Sequence, residues 1–402
     1  MKHVLLVAYE YPGYHSKSGA ALARRVKQVA ESFELNGWQV TVVHKDQVGE
    51  TGDKLCVVKK ESASITRIPV RSDRSEFSVF ERSIFRRLFT LYCLLKKGDR
   101  TYRWAESARR SLPLSQLSRP DLVISFFTPR GPIVLGRYFA KKYDAPWIAD
   151  LQDELDQGTL SSNKYFSALN GYLSHVWVKK ILSAAKAVVH VSPEWANVDS
   201  AILGRHIACI RHAMADHRTE IYNRTDSTEF RVFYGGSIEP AGQELETLNK
   251  VLLEVRAQKP VKLIMAGGEK AHYAFRNSLD ESIDIEYAGW LDAEAYSQTI
   301  KSSHCCLIVP WSGADRQAIP SKFYEVCTMR PVWIVGKDSG AFSSLVGDLK
   351  HPLGRYGDVA FNVSALEKAV AGDYSSMFTL DKCAVAPITE RQLCEHYLRL
   401  VN

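Results

Sequence analysis

HVLLVAYEYPGYHSKSGAALARRVKQVAESFELNGWQVTVVH, residues 3–44, holds a strand, a helix and a second strand in the order that decides the fold. HVLLVAY (3–9) and QVTVVH (39–44) are short runs rich in β-branched residues, the composition of buried strands. Between them Leu22, Val26, Val29 and Phe33 recur at spacings of four and three, and Gly37 stands where a helix cap belongs. Strand, crossover helix, strand is a βαβ unit, and a chain of such units makes a parallel sheet covered on both faces.

The same grammar continues outward. DLVISFF (121–127), PWIAD (146–150), AVVHVS (187–192) and HIACI (206–210) are further strands of the first half. The polar stretch HRTEIYNRTDSTE (217–229) is the best linker. Beyond it come FRVFYGG (230–236), VKLIMAGG (261–268), IDIEYAG (283–289), HCCLIVPW (304–311) and PVWIVG (331–336). An amphipathic helix is expected over 388–400. The pattern predicts two doubly wound, Rossmann-like α/β domains facing a central cleft: residues 1–215, residues 216–385, and a terminal helix in 386–402 that packs back on the first.

The totals agree with a globular protein. Its 402 residues suffice for two cores, and no apolar run nears the roughly 20 residues that span a bilayer. The N-terminus reads as a first strand rather than a signal peptide. Eight scattered cysteines without a CxxC pair fit reduced thiols, so a cytoplasmic location is expected. Residues 1–215 carry 32 Lys+Arg against 20 Asp+Glu, whereas 216–402 carry 20 against 25. The halves therefore face different partners.

Ligands of such sheets bind beyond the carboxyl ends of the strands. Gly19, before the first helix, lets a ligand approach the backbone, although a lone glycine there is more often a turn residue. Gly236 and Ser237 after one strand, and Gly268 after the next, could cradle phosphate, or could be tight turns. AIPSKFYEVC (318–327) places Pro320 at a helix start, with Lys322 and Glu325 on one face. An anion would gain from Lys322 and the helix start together; a surface Lys–Glu pair is the plain alternative. Asp150 and Asp153 follow a strand and could bind sugar hydroxyls or act as acid and base, or Asp150 could cap a helix. Between 82 and 110 nine Lys/Arg meet two acidic residues, among aromatic and aliphatic side chains. Arg86, Arg87, Lys96 and Lys97 make this a candidate for an anionic membrane surface, with a solvated helix as the plain alternative. A nucleic-acid partner is not expected, since no such motif accompanies the patch.

Together these segments resemble the retaining GT-B glycosyltransferases of the group 1, or family 4-like, bacterial polysaccharide type. The resemblance runs through residues 5–43, DAPWIADLQDE, AKAVVHVSPEWA, VFYGGSI, IEYAGWLDAEAY and IPSKFYEVCTMRPVWIV, in order. It implies transfer of a sugar from a nucleotide diphosphate sugar to a saccharide or lipid-linked acceptor in envelope polysaccharide synthesis. It also implies that Glu325 holds the donor ribose, and Lys322 with the Ser321 amide the diphosphate. Gly236 and Ser237 would lie against the phosphates, Trp290 and Leu291 beside the base, and Gly19 near the transferred sugar. Two departures stand out. Gln317 occupies a position where many relatives have glutamate, and GGSIEPAGQELE lacks their arginine and lysine, so charge compensation would fall on Lys322 with Arg316. No metal cluster, DxD motif or dinucleotide fingerprint is present, so neither a metal nor a further cofactor is expected. A nucleotide-sugar epimerase of the same fold and a non-catalytic, glycosyltransferase-like binding subunit are the alternatives.

Overall fold

The computed structural model describes residues 1–11, 20–46, 49–72, 99, 101–113, 117–153, 155, 175–214, 228–236, 238, 243–256, 260–311, 319–337, 356–379 and 388–402. The chain divides into two compact units, Met1–His212 with Glu390–Asn402, and Ala213–Thr389. No helix among the described residues is long and apolar enough to cross a membrane.

Among the described residues the first unit has eight strands: β1 (His3–Val7), β2 (Gln39–Lys45), β3 (Lys59–Lys60), β4 (Ile65–Val70), β5 (Leu122–Phe127), β6 (Trp147–Leu151), β7 (Ala187–His190) and β8 (Ala208–Cys209), in the order β3-β4-β2-β1-β5-β6-β7-β8. All neighbours are parallel except β3 and β4. β1, β5 and β6 are buried along their whole length, which is why they read as unbroken apolar runs. Helix α1 (Ala20–Leu35) buries Val26, Val29 and Phe33. It ends at Gly37 with φ +77, where the amide of Trp38 donates to the carbonyl of Phe33. Helices α2 (Tyr102–Ser111) and α3 (Gly131–Tyr143) share a core with Leu5, Val7 and Val123 through Trp104, Ile133, Leu135 and Phe139. Gly136 makes that packing close, since a methyl there would stand 2.5 Å from the Ser125 Cβ. Helix α4 (Pro193–Leu203) opens on Ser192, whose hydroxyl accepts from the Trp195 amide, and ends at Gly204 in the left-handed region.

Among the described residues the second unit has five parallel strands, β9 (Phe230–Gly235), β10 (Val261–Ala266), β11 (Asp284–Gly289), β12 (Cys305–Ile308) and β13 (Val332–Ile334), in the order β11-β10-β9-β12-β13. Helices α5 (Glu246–Arg256), α6 (Glu269–Ser278), α7 (Ala293–Lys301), α8 (Ser321–Val326) and α9 (Val359–Val370) alternate with or follow the strands. Two apolar cores, one around Leu248 and Leu263 and one around Phe323 and Ile334, cover the sheet.

Helix α10 (Glu390–Leu398) belongs to the first unit and packs on α1. The Cys394 amide donates to the buried Ser32 hydroxyl at 2.8 Å, and the Asn36 side chain donates to the Arg391 carbonyl. Strand order reverses between β1 and β5 in the first unit and between β9 and β12 in the second. In open α/β sheets the carboxyl ends at such reversals are where ligands settle.

Candidate functional site

At the second unit's reversal, β9 runs into Gly235 and Gly236, and β10 into Gly267 and Gly268. Gly236 has φ +132 and Gly267 φ +147, conformations that side chains other than glycine's rarely adopt. The Gly236 amide donates to the Ala266 carbonyl and the Gly267 amide to the Gly289 carbonyl, so the ends of β9, β10 and β11 are tied side by side. A methyl on Gly267 would lie 2.5 Å from the Gly236 carbonyl oxygen. These glycines leave a stretch of bare backbone at the sheet's carboxyl end.

Lys322 reaches that backbone from α8, the helix that follows β12. A methyl on Gly236 would lie 1.3 Å from the Lys322 Nζ, so the lysine fills the room a side chain would take. Phe323, Tyr324 and Val326 point into the core, leaving Ser321, Lys322 and Glu325 half-buried. The spacing that put Lys322 and Glu325 on one face therefore describes the helix as folded. Its start differs from the sequence expectation: Pro320 precedes the helix as its cap, and α8 has only six residues. So short a helix contributes little dipole, and positive charge here rests on the Lys322 ammonium itself. The Glu325 Oε2 is buried. Burial pushes the Cys306 thiol up, Arg330 opposes it and Glu325 adds to it.

Aromatic groups border the same backbone. The Tyr296 hydroxyl would stand 2.8 Å from a methyl on Gly235, and its ring meets Phe233 edge-on. Tyr287 donates its hydroxyl to the Gly267 carbonyl at 2.9 Å and stacks on His272 at 4.4 Å. Trp290 is 55 % exposed, with its ring 3.6 Å from where a Gly268 Cβ would be. Leu291 is half-buried against the core that holds Phe323. The structure thus brings together Lys322, Gly236, Gly268 and Trp290 around one strip. Tyr287 and Tyr296 also belong to it, and the sequence offered only their place in or after strands as a signal.

Asp150 belongs to the first unit. Proposed from sequence as a carboxylate at a strand end, it lies inside β6 with no exposed surface. Arg25 Nε donates to it at 3.3 Å, the Tyr397 hydroxyl and Gln152 side chain donate to it, and Arg25 is itself fully buried. Arg25 also donates to the carbonyls of Ile210 at 2.9 Å and Arg211 at 2.7 Å. Burial alone would lower Arg25, but Tyr397 and Asp150 beside it hold its pKa above the ordinary value. This is an ion pair that joins α1, β6 and α10, and neither a helix cap nor a solvent-facing acid. Asp153 accepts from the Thr128 hydroxyl at 2.7 Å. Gly19, Ser237, Arg316, Gln317, Arg86, Arg87, Lys96 and Lys97 lie outside the described residues.

No protein-family model matches the chain, and no curated protein matches it by sequence. Solved structures match it from end to end. A UDP-forming α,α-trehalose-phosphate synthase from Burkholderia xenovorans aligns with TM-score 0.60 and 9% identity over 100% of this chain and 99% of that one. A glycosyltransferase involved in avilamycin A biosynthesis aligns with TM-score 0.54 and 13% identity over 100% and 97%. A candidate UDP-N-acetylglucosamine 2-epimerase from Listeria monocytogenes aligns with TM-score 0.53 and 10% identity over 100% and 96%. Likeness at such identities establishes the fold alone, and that fold is GT-B.

Proposed function

We propose that this chain is a retaining glycosyltransferase that uses a nucleoside diphosphate sugar, in envelope polysaccharide synthesis. The observation that carries the reading is Lys322 lying over Gly236 at the reversal between β9 and β12. Bare backbone at Gly235–Gly236 and Gly267–Gly268 admits a diphosphate closely, and Lys322 supplies the opposing charge. Glu325 takes the ribose hydroxyls, which a carboxylate can accept as a pair. The exposed Trp290 offers its face to the base, with Leu291 and Ser321 completing the donor side.

In the transfer, the bond from the anomeric carbon to the β-phosphate oxygen breaks and a bond to an acceptor hydroxyl oxygen forms. The hydroxyl proton passes to the departing phosphate, which keeps the sugar on the same face. Negative charge grows on that phosphate as it leaves, and a fixed ammonium stabilises it more in the transition state than in the ground state. The reading needs no metal or further cofactor, since Lys322 carries the compensating charge. The acceptor is a saccharide or lipid-linked saccharide. The basic segment with Arg86, Arg87, Lys96 and Lys97 docks a cytoplasmic protein on the anionic membrane that presents it. The chain's likeness to an epimerase fold keeps one rival in view, because the same donor grip would serve both.

Thermal unfolding with UDP, ADP, GDP, dTDP and CDP tests the donor site. One of them is expected to stabilise the protein, by about 2.7 kcal/mol at a hundredfold excess over Kd. Lys322→Ala is expected to remove that stabilisation and to lower kcat by about a hundredfold or more. No stabilisation by any of the five would overturn the reading. Incubation with nucleotide sugar alone separates the rival, for an epimerase turns over without an acceptor.

A further inference from the structure

The peptide between Gly267 and Gly268, at the carboxyl end of β10, is gripped from one side. The Tyr287 hydroxyl, from β11, donates to the Gly267 carbonyl at 2.9 Å. The Tyr287 ring is fixed in turn by the His272 ring of α6, which stacks on it at 4.4 Å with 18° between the planes. The polar groups on either side of this peptide are also engaged. The Gly267 amide donates to the Gly289 carbonyl, and the Gly268 carbonyl accepts from the His272 amide. The Gly268 amide has no partner among the described residues.

A trans peptide points its C=O and its N–H to opposite sides, and this one is trans. With the Gly267 carbonyl held toward Tyr287, the Gly268 N–H is held away from it. The other neighbour of this turn is Gly236: a methyl on Gly267 would lie 2.5 Å from the Gly236 carbonyl oxygen, and the Lys322 ammonium lies against Gly236. Glycine on both sides makes the peptide's orientation soft, because neither residue has a Cβ to resist rotation. A half-turn would aim the electron-rich carbonyl oxygen where the N–H now points. The bond from the Tyr287 hydroxyl opposes that half-turn.

We infer that Tyr287 is a positioning residue for the donor: by holding the Gly267 carbonyl it presents the Gly268 N–H to the diphosphate. The inference rests on the reading of this strip as a nucleoside diphosphate site. It assigns Tyr287 to orienting a phosphate contact, although the residue lies among the aromatic groups that border the strip. Lys322 then supplies a charge and the Gly268 N–H a fixed dipole. A donor already oriented needs no reorganisation when the ligand arrives. An N–H bonded to a charged phosphate oxygen is among the stronger hydrogen bonds, so turning it away is expected to weaken binding about tenfold.

Tyr287→Phe removes the hydroxyl and keeps the ring on His272. Protein labelled with 15N-glycine reads the peptide directly. The Gly268 signal is identified by its disappearance in Gly268→Ala, whose methyl would meet only the Trp290 ring, at 3.6 Å. Each protein is titrated with UDP, ADP, GDP, dTDP and CDP. In the wild type the Gly268 amide signal is expected to move downfield with whichever of them binds. In Tyr287→Phe that movement is expected to be lost and the dissociation constant to rise about tenfold. His272→Ala frees the ring and keeps the hydroxyl, so a smaller loss of both is expected; it decides by the same two readings should Tyr287→Phe fail to fold. A Gly268 signal that stays still in the saturated wild type, or moves equally in Tyr287→Phe, overturns the assignment. So does a Tyr287→Phe protein that is less stable but binds as the wild type does, for the hydroxyl would then serve the fold alone. Failure of the parent reading shows separately, as a wild type that binds none of the five, and takes the inference with it.

Discussion

At Gly236 a single hydrogen stands where a side chain would collide with the Lys322 ammonium. Gly236→Ala must displace the lysine and also hold a non-glycine residue at φ +132, a strain of about 1–3 kcal/mol. The variant is expected to lose both stability and nucleoside diphosphate affinity, whereas Lys322→Ala loses affinity alone; paired melting and titration curves check this. Glu10, just after β1, gives a second test, in stability: burial raises its carboxyl, with Lys45 opposing. Its folded pKa of about 7 lies above the ordinary 4.5, so its favourable contribution is complete below pH 4.5 and is lost as pH rises through about 7. Glu10→Gln is therefore expected to melt at or above the wild type at pH 8, and its advantage to vanish at pH 5. Glu10 is also a lesson in legibility. The sequence shows it following a strand, but the burial of its Oε2, with no hydrogen-bond partner among the described residues, is a property of the folded neighbourhood. That Lys322 and Glu325 share a half-buried side of α8 was legible because a spacing of three on a helix puts both on one face.

Elements were legible where burial on both faces wrote an apolar run, as in β1, β5 and β12. β4 was missed because ITRIPV carries Thr66, Arg67 and Pro69, and β3 because two lysines show no pattern at all. Strand HIACI shrank to the two residues of β8 at the sheet edge. Asp150 was misread for another reason: its partner Arg25 is 125 residues away, and only the packing of α1 and α10 over β6 brings them together. That packing predicts what Asp150→Asn does. Removing the carboxylate leaves the Arg25 guanidinium buried without its counter-charge, at a cost of about 3–5 kcal/mol. Urea unfolding is expected to show that loss, while the folded protein binds nucleoside diphosphate as the wild type does. A stable Asp150→Asn with abolished turnover would return Asp150 to the chemistry.

On the scale of the whole chain, charge is divided more sharply than sequence length. The excess of 32 basic over 20 acidic residues in 1–215 contrasts with 20 against 25 in the remainder. Some of the basic charge is neutralised locally: Arg109 and Arg110 flank Glu106 on α2, and Arg67 pairs with Glu50. Arg86, Arg87, Lys96 and Lys97 belong to a stretch of the sequence in which acidic residues are scarce. Each basic residue near an anionic membrane surface contributes about 1 kcal/mol, and the attraction fades within a Debye length of about 8 Å at physiological salt. Replacing all four with glutamate is therefore expected to weaken binding to vesicles of 70% phosphatidylcholine and 30% phosphatidylglycerol by about a thousandfold or more. Co-sedimentation at 50 mM and 300 mM salt checks it. Wild-type binding should fall as salt rises, and the variant should stay in solution at both. Nucleoside diphosphate binding should be untouched, because the strip around Lys322 and Gly236, its proposed site, belongs to the other unit. Variant protein that still pellets with the vesicles would overturn the proposed membrane role of these residues.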